Sequence, residues 1–162
     1  MAERWVINAS PVILLAKAEV IQFVPLLCDE LVIPAGVVAE VQSGRVADAG
    51  KIWLANLGQK FIRPVPAVHP ALVEWRGGHG EAEVISFALQ NPGFTAVLDD
   101  SRARKLAARH GVALLGSLRV IVLAKERGFI ALAKPALEKL RDGGGYVSHE
   151  LIDRAIQFAG EQ

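Results

Sequence analysis

A single cysteine, few aromatics and almost no net charge set the first limits on this 162-residue chain. With Cys28 alone, an intrachain disulfide and a cysteine-based zinc site are both excluded. Its surroundings, PLLCDELVIP, read as a buried thiol in a reducing, cytoplasmic setting. Aromatics make up 6% of the chain and hydrophobic residues 52%, so Ala, Val, Leu and Ile must build the core. A net charge of +1 gives no bulk attraction to nucleic acid or membrane, and any basic surface has to be local. Apolar runs such as PVILLA fall far below the ~18 residues of a membrane helix, so no membrane association is expected. The N-terminus lacks the charge-then-apolar pattern of an export signal. No nucleophile elbow, phosphate loop or dinucleotide fingerprint occurs, and the histidines at 69, 79, 110 and 149 show no i, i+4 ligand spacing.

What is there is alternation. RWVIN (4–8), ELVIP (30–34), FIRPV (61–65), FTAVL (94–98) and VALLG (112–116) read as strands. Helical periods cover 10–18 (with Ser10 as N-cap and Pro11 in the first turn), 19–27 and a segment opened by Pro34 that carries Glu40. A further one covers 45–57, with Ile52, Trp53 and Leu57 among its buried positions. Beyond the GGHG turn, helices follow in GEAEVISFALQ, in SRARKLAARH up to Gly111 and in SLRVIVLAKER up to Gly128. Two amphipathic helices close the chain near 134–141 and 148–159, on either side of DGGG. The alternation predicts one α/β domain over 1–162, with a mainly parallel sheet between two layers of helices. The last two helices pack on the core or on a partner.

In such a sheet ligands bind beyond the carboxyl ends of the strands, which directs attention to Asn8, Asp99, Asp100 and Ser117. Adjacent Asp99 and Asp100 read either as a helix N-cap beside a solvated turn residue, or as oxygen ligands of a hard divalent cation. Glu81 and Glu83 open one helix at i and i+2, so at most one of them reaches a shared site. Glu81, nearer the helix entry, is the candidate. Glu40 stands alone among small and apolar residues and needs a partner if its face is buried. Asn8 can offer a neutral oxygen but no negative charge, and Ser117 reads first as an N-cap. Arg102, Lys105 and Arg109 share one helical face, placed to hold a phosphate backbone.

In this order, VINASPVILLAKAEV, LVIPAGVVAEV, GEAEVISFAL, VLDDSRARKLAARHGVALLGSLRVIVLAKERGFI and the closing helices resemble the PIN-domain superfamily. The nearest resemblance is to an uncharacterised branch related to the VapC-type toxin ribonucleases. It implies a three-layer α/β/α fold whose acidic carboxyl edge binds Mg²⁺ or Mn²⁺ for RNA hydrolysis. Carried over by position, Glu40, Glu81, Asp99 and Asp100 would be catalytic acids and, with Asn8, the metal ligands. Ser10, Arg102, Lys105 and Ser117 would face substrate. Asn8 departs from the family, which places an aspartate there, and the loss of that charge weakens the expected pocket. The resemblance further implies RNA as substrate, a small antitoxin protein as partner and a homodimer. A module that keeps the fold and binds nucleic acid or a partner without catalysis is the alternative that Asn8 favours.

Overall fold

A computed structural model describes residues 2–44, 48–141 and 147–162. Five strands, β1 (Arg4–Ile7), β2 (Glu30–Pro34), β3 (Ile62–Arg63), β4 (Phe94–Val97) and β5 (Ala113–Leu115), form one sheet in the order β3-β2-β1-β4-β5. Every pairing is parallel, with Trp5 opposite both Leu31 and Thr95. Helices flank the sheet, as the alternation predicts: α1 (Ala9–Lys17), the single turn α2 (Val24–Leu27), α3 (Ala35–Gln42), α4 (Ala49–Trp53), α5 (His79–Gln90), α6 (Ser101–Arg109), α7 (Ser117–Glu126), α8 (Lys134–Arg141) and α9 (His149–Phe158). The fold is the α/β arrangement that the resemblance implies. Strands buried on both faces are near-continuous apolar runs, and Val6, Ile33, Val97, Leu15, Ile85 and Ile121 are all fully buried. No single helix among the described residues is long and apolar enough to cross a membrane.

The chain steps from β1 through β2 to β3 and then returns to the other side of β1. The switch point therefore lies between β1 and β4, where Asn8 and Asp99 follow their strands. The two strand ends are tied together by the Asn8 backbone N–H donating to Val97 O at 3.2 Å.

Several local expectations are corrected. The helix expected over 19–27 is broken: Glu19 takes a left-handed φ of 60° and Val20 N–H reaches back to Leu15 O. That closure ends α1, and only a short 3₁₀ turn and α2 follow. The third strand shrinks to Ile62–Arg63, since Phe61 closes a 3₁₀ turn and Pro64 has no N–H for the ladder. Ile52 and Leu57 are 57% and 61% exposed, whereas Trp53 and Leu54 are buried. A π turn over Leu54–Gly58 shifts the helical face, which defeats a 3.6-residue count. The expected start of that helix at 45 and the DGGG link fall outside the described residues.

Cys28 is half-buried, with its Sγ donating to Val24 O, and burial with Asp29 and Glu3 nearby pushes its thiol up to about 12. Gly111 and Gly128 stop α6 and α7 at φ of 78° and 82°, as the sequence predicts. Helices α8 and α9 pack on each other and on α7, burying Leu137, Leu140, Ile152 and Ile156.

Candidate functional site: an acidic cleft at the switch point

Asn8 takes the position that Ser10 was expected to hold. Its extended backbone (φ −87°, ψ 170°) carries the chain from β1 straight into α1, which starts at Ala9. Ser10 lies inside the first turn and has no capping role. The Asn8 side chain makes no cap bond, is only 3% exposed, and its buried Oδ1 has no hydrogen-bond partner among the described residues. A polar atom in that state costs free energy.

The two adjacent aspartates part company at once. Asp100 caps its own helix, accepting from Ala103 N–H at 2.8 Å. Asp99 instead reaches across to α7, where its two oxygens accept from the Ser117 N–H at 2.8 Å and the Ser117 hydroxyl at 2.5 Å. Gly116, not Ser117, is therefore the N-cap residue of α7, and Ser117 is a fully buried donor. Each negative charge faces a different helix N-terminus, and this is how neighbouring carboxylates tolerate each other.

Glu40 and Glu83 form a reciprocal pair of clamps. Glu40, on α3, accepts from Gly80 N–H at the start of α5 at 2.8 Å. Glu83, on α5, accepts from Gly36 N–H at the start of α3 at 2.9 Å and pairs with His79 Nε2 at 2.7 Å. Both receiving positions are glycines because the carboxylates fill the space a side chain would need. A Cβ on Gly36 would stand 2.8 Å from the Glu83 carboxylate, and one on Gly80 would stand 2.9 Å from that of Glu40. Sequence reading set Glu83 aside. Its burial was the missing signal, since a nearly buried acid must be paired.

Glu81 turns back to accept from Gly78 N–H at 3.0 Å. Ser10, Glu81, Asp99, Asp100 and Ser117 line one cleft of about 440 Å³, with Val147 and Leu151 from the C-terminal segment as an apolar wall. Asn8 and Glu40 are not among the lining residues, although Glu40 lies close enough to Glu81 to act on its charge. Burial raises the Glu81 carboxyl above its ordinary 4.5, and the charges of Asp100 and Glu40 add to this. The Gly78 N–H and Arg102 oppose it.

The raised value means that Glu81 favours the folded state most when protonated. That contribution is present below about pH 4.5 and is lost as pH rises through the folded value. Glu81→Gln keeps an oxygen for Gly78 and removes the charge. Its melting temperature should exceed that of the parent by a margin that grows from pH 4 to pH 7. Thermal melts followed by circular dichroism across that range check this.

The donor chemistry fits Mg²⁺ or Mn²⁺. All candidate ligands are hard oxygens, and Glu40, Glu81 and Asp100 each leave one carboxylate oxygen without a protein partner among the described residues. Among those residues no three His, Cys, Asp or Glu side chains stand close enough together to enclose a metal. At most one or two of these carboxylates could therefore reach a shared ion, and water would have to complete its shell.

Beside the cleft lies a second feature. Arg102, Lys105 and Arg109 do share one exposed face of α6, and they line a groove of about 410 Å³ together with Trp75. The Arg102 guanidinium sits 5.7 Å from the centre of the Trp75 ring. The sequence reading had no role for Trp75, because the loop that brings it to α6 has no periodic pattern.

No curated protein and no solved structure gives a significant match to this sequence. A family model described as PIN domain matches residues 4–161, nearly the whole length, and the chain accordingly belongs to the PIN-domain family.

Proposed function

We propose that this protein is a metal-dependent endoribonuclease, a toxin-like PIN domain that hydrolyses RNA phosphodiester bonds. The observation that carries the reading is the convergence of Glu81, Asp99 and Asp100 with Ser10 and Ser117 in one cleft at the switch point of the sheet. Membership of the PIN family points the same way, toward a nuclease-like activity. A divalent Mg²⁺ or Mn²⁺ held by one or two of Glu81, Asp99 and Asp100, with Glu40 and Asn8 outside the cleft lining, would activate water and offset charge on the phosphate.

The chain's own residues do the remainder. Asp99 stays fixed by its two bonds to Ser117, so its position does not depend on a ligand. Glu81, with its raised proton affinity, is suited to take a proton from an attacking water or return one to the leaving oxygen. Ser10 can donate to a phosphate oxygen at the cleft wall. Arg102 and Lys105 attract the strand from α6. A cytoplasmic location, a small antitoxin protein and a homodimer belong to this proposal as a toxin-like component.

The second reading, a binding module without turnover, is favoured by Asn8 and by the use of every candidate acid as a helix clamp. Cleavage of single-stranded RNA by the purified chain decides between them. Mn²⁺ or Mg²⁺ should support cleavage, EDTA should abolish it, and Glu81→Gln and Asp100→Asn should each lower the rate at least about 100-fold while remaining folded. RNA left intact with either metal by a folded protein would select the binding module. Growth arrest on expression, relieved by Asp100→Asn, tests the toxin-like part.

A further inference from the structure

We propose that the groove between α6 and Trp75 is a built subsite for single-stranded RNA, seating a base against the indole and phosphates along Arg102, Lys105 and Arg109. The inference rests on the nuclease reading only for the choice of RNA as the strand.

The charge is one-sided. Arg102, Lys105 and Arg109 line the groove with Glu74 as the only facing carboxylate, and none of the three cations forms an ion pair among the described residues. Over this helix the row runs about 10 Å, at 1.5 Å per residue. On a chain of net charge +1, unneutralised cations on one face mark a local anion-binding stripe. An extended polyanion is the ligand such a stripe complements.

The aromatic is held rather than loose. The Trp75 N–H closes a turn on Leu72 O at 3.0 Å, and its indole Nε1 donates to Gly78 O at 3.1 Å. Gly77 lets the backbone pass under the ring, since a Cβ there would stand 2.1 Å from Trp75 Cζ2. The same Gly78 donates its N–H to Glu81, so the loop that orients the indole also orients the acid in the cleft. A fixed indole beside cations is the combination that binds single strands, whose unpaired bases can leave the stack. Arg102 lines the groove two residues after Asp100, which lines the cleft, so the two adjoin at the start of α6. A strand in the groove is thereby led toward Glu81 and Asp100.

Trp75 can report on its own occupancy. Trp5 and Trp53 are 1% and 7% exposed, while Trp75 is only partly buried. The experiment is a fluorescence titration of the whole chain with a uridine-rich single-stranded RNA oligomer at low salt in EDTA, where no cleavage competes. The oligomer should quench the emission. Trp75→Phe should abolish the quench and keep binding by anisotropy, and Trp75→Ala should weaken binding about 10-fold, the range for one stacked base. Lys105→Glu with Arg109→Glu should weaken it at least as much and flatten its salt dependence. Absence of quenching, or unchanged affinity in Trp75→Ala and in the charge-reversed variant, would overturn the proposal. Equal affinity for single-stranded DNA or an RNA duplex would overturn the assignment to single-stranded RNA. Quenching without cleavage in Mn²⁺ would sink the nuclease and leave the groove standing. Cleavage with normal binding in Trp75→Ala would do the reverse.

Discussion

Asn8→Asp should lower the melting temperature of the metal-free protein and make Mn²⁺ restore it. Asn8 is 3% exposed, and its Oδ1 already lacks a partner among the described residues. A carboxylate of the same shape brings a full charge to that buried position. The cost is about 3 kcal/mol, the upper end for an unsatisfied buried group. For a chain of this size that corresponds to a fall of roughly 6–12 °C.

The loss should deepen with pH. A desolvated carboxyl takes up a proton more readily in the folded state than in the unfolded chain, so the penalty is absent below its unfolded pKa and grows as pH rises through the folded one. Mn²⁺ supplies the missing countercharge. At 100 times its dissociation constant it returns about 2.7 kcal/mol by mass action, and its affinity should exceed that for the parent. Melts at pH 5 and pH 8, with and without Mn²⁺, and calorimetric titration make the measurement. A variant destabilised to the same extent whether or not Mn²⁺ is present would show that this position does not face a cation.

Much of the scaffold under that position was legible from the chain. Helices with a clean period, such as SRARKLAARH and SLRVIVLAKE, and a strand that is a short apolar run, FTAVL, fall within a residue or two of their places, because burial fixes both pattern and element. The parallel sheet followed from the alternation, though not the order of its strands, and the strand-end rule led to Asn8, Asp99 and Asp100. What escaped was tertiary pairing. Asp99 capping α7, a helix 18 residues further on, cannot be told by spacing from Asp100 capping α6. Ile52 and Leu57 were misplaced because a π turn leaves no mark in a 3.6-residue count. Trp75 was missed for the opposite reason: its loop holds no period at all, and its value comes from the neighbour that folding gives it. Glu83 was set aside by a correct local rule, that i and i+2 diverge, which is silent on what the diverging side chain meets.

What Glu83 meets makes its removal the other large effect. Glu83→Ala should cost about 3 kcal/mol, a fall of roughly 6–12 °C. It leaves Gly36 N–H without its acceptor and His79 without its partner, and it empties the space the carboxylate fills between α3 and α5. Gly36→Ala alone should also destabilise, because its Cβ would fall 2.8 Å from that carboxylate. The two changes should not add. With the carboxylate gone the alanine methyl occupies vacated space, and a helical Ala is favoured over Gly by about 0.5–1 kcal/mol. The double variant should therefore be more stable than the sum of the singles by at least about 1 kcal/mol, a coupling a double-mutant cycle reads from denaturant melts. Additive losses would mean that the carboxylate does not lie against Gly36. The same clamp bears on the site, since α3 carries Glu40 and α5 carries Glu81. With Glu83 removed, of these two clamps Glu40 alone still ties α3 to the start of α5, and a residue clamping α5 is less free to serve a cation. Mn²⁺ should accordingly stabilise Glu83→Ala less than it stabilises the parent, even at temperatures where both are fully folded.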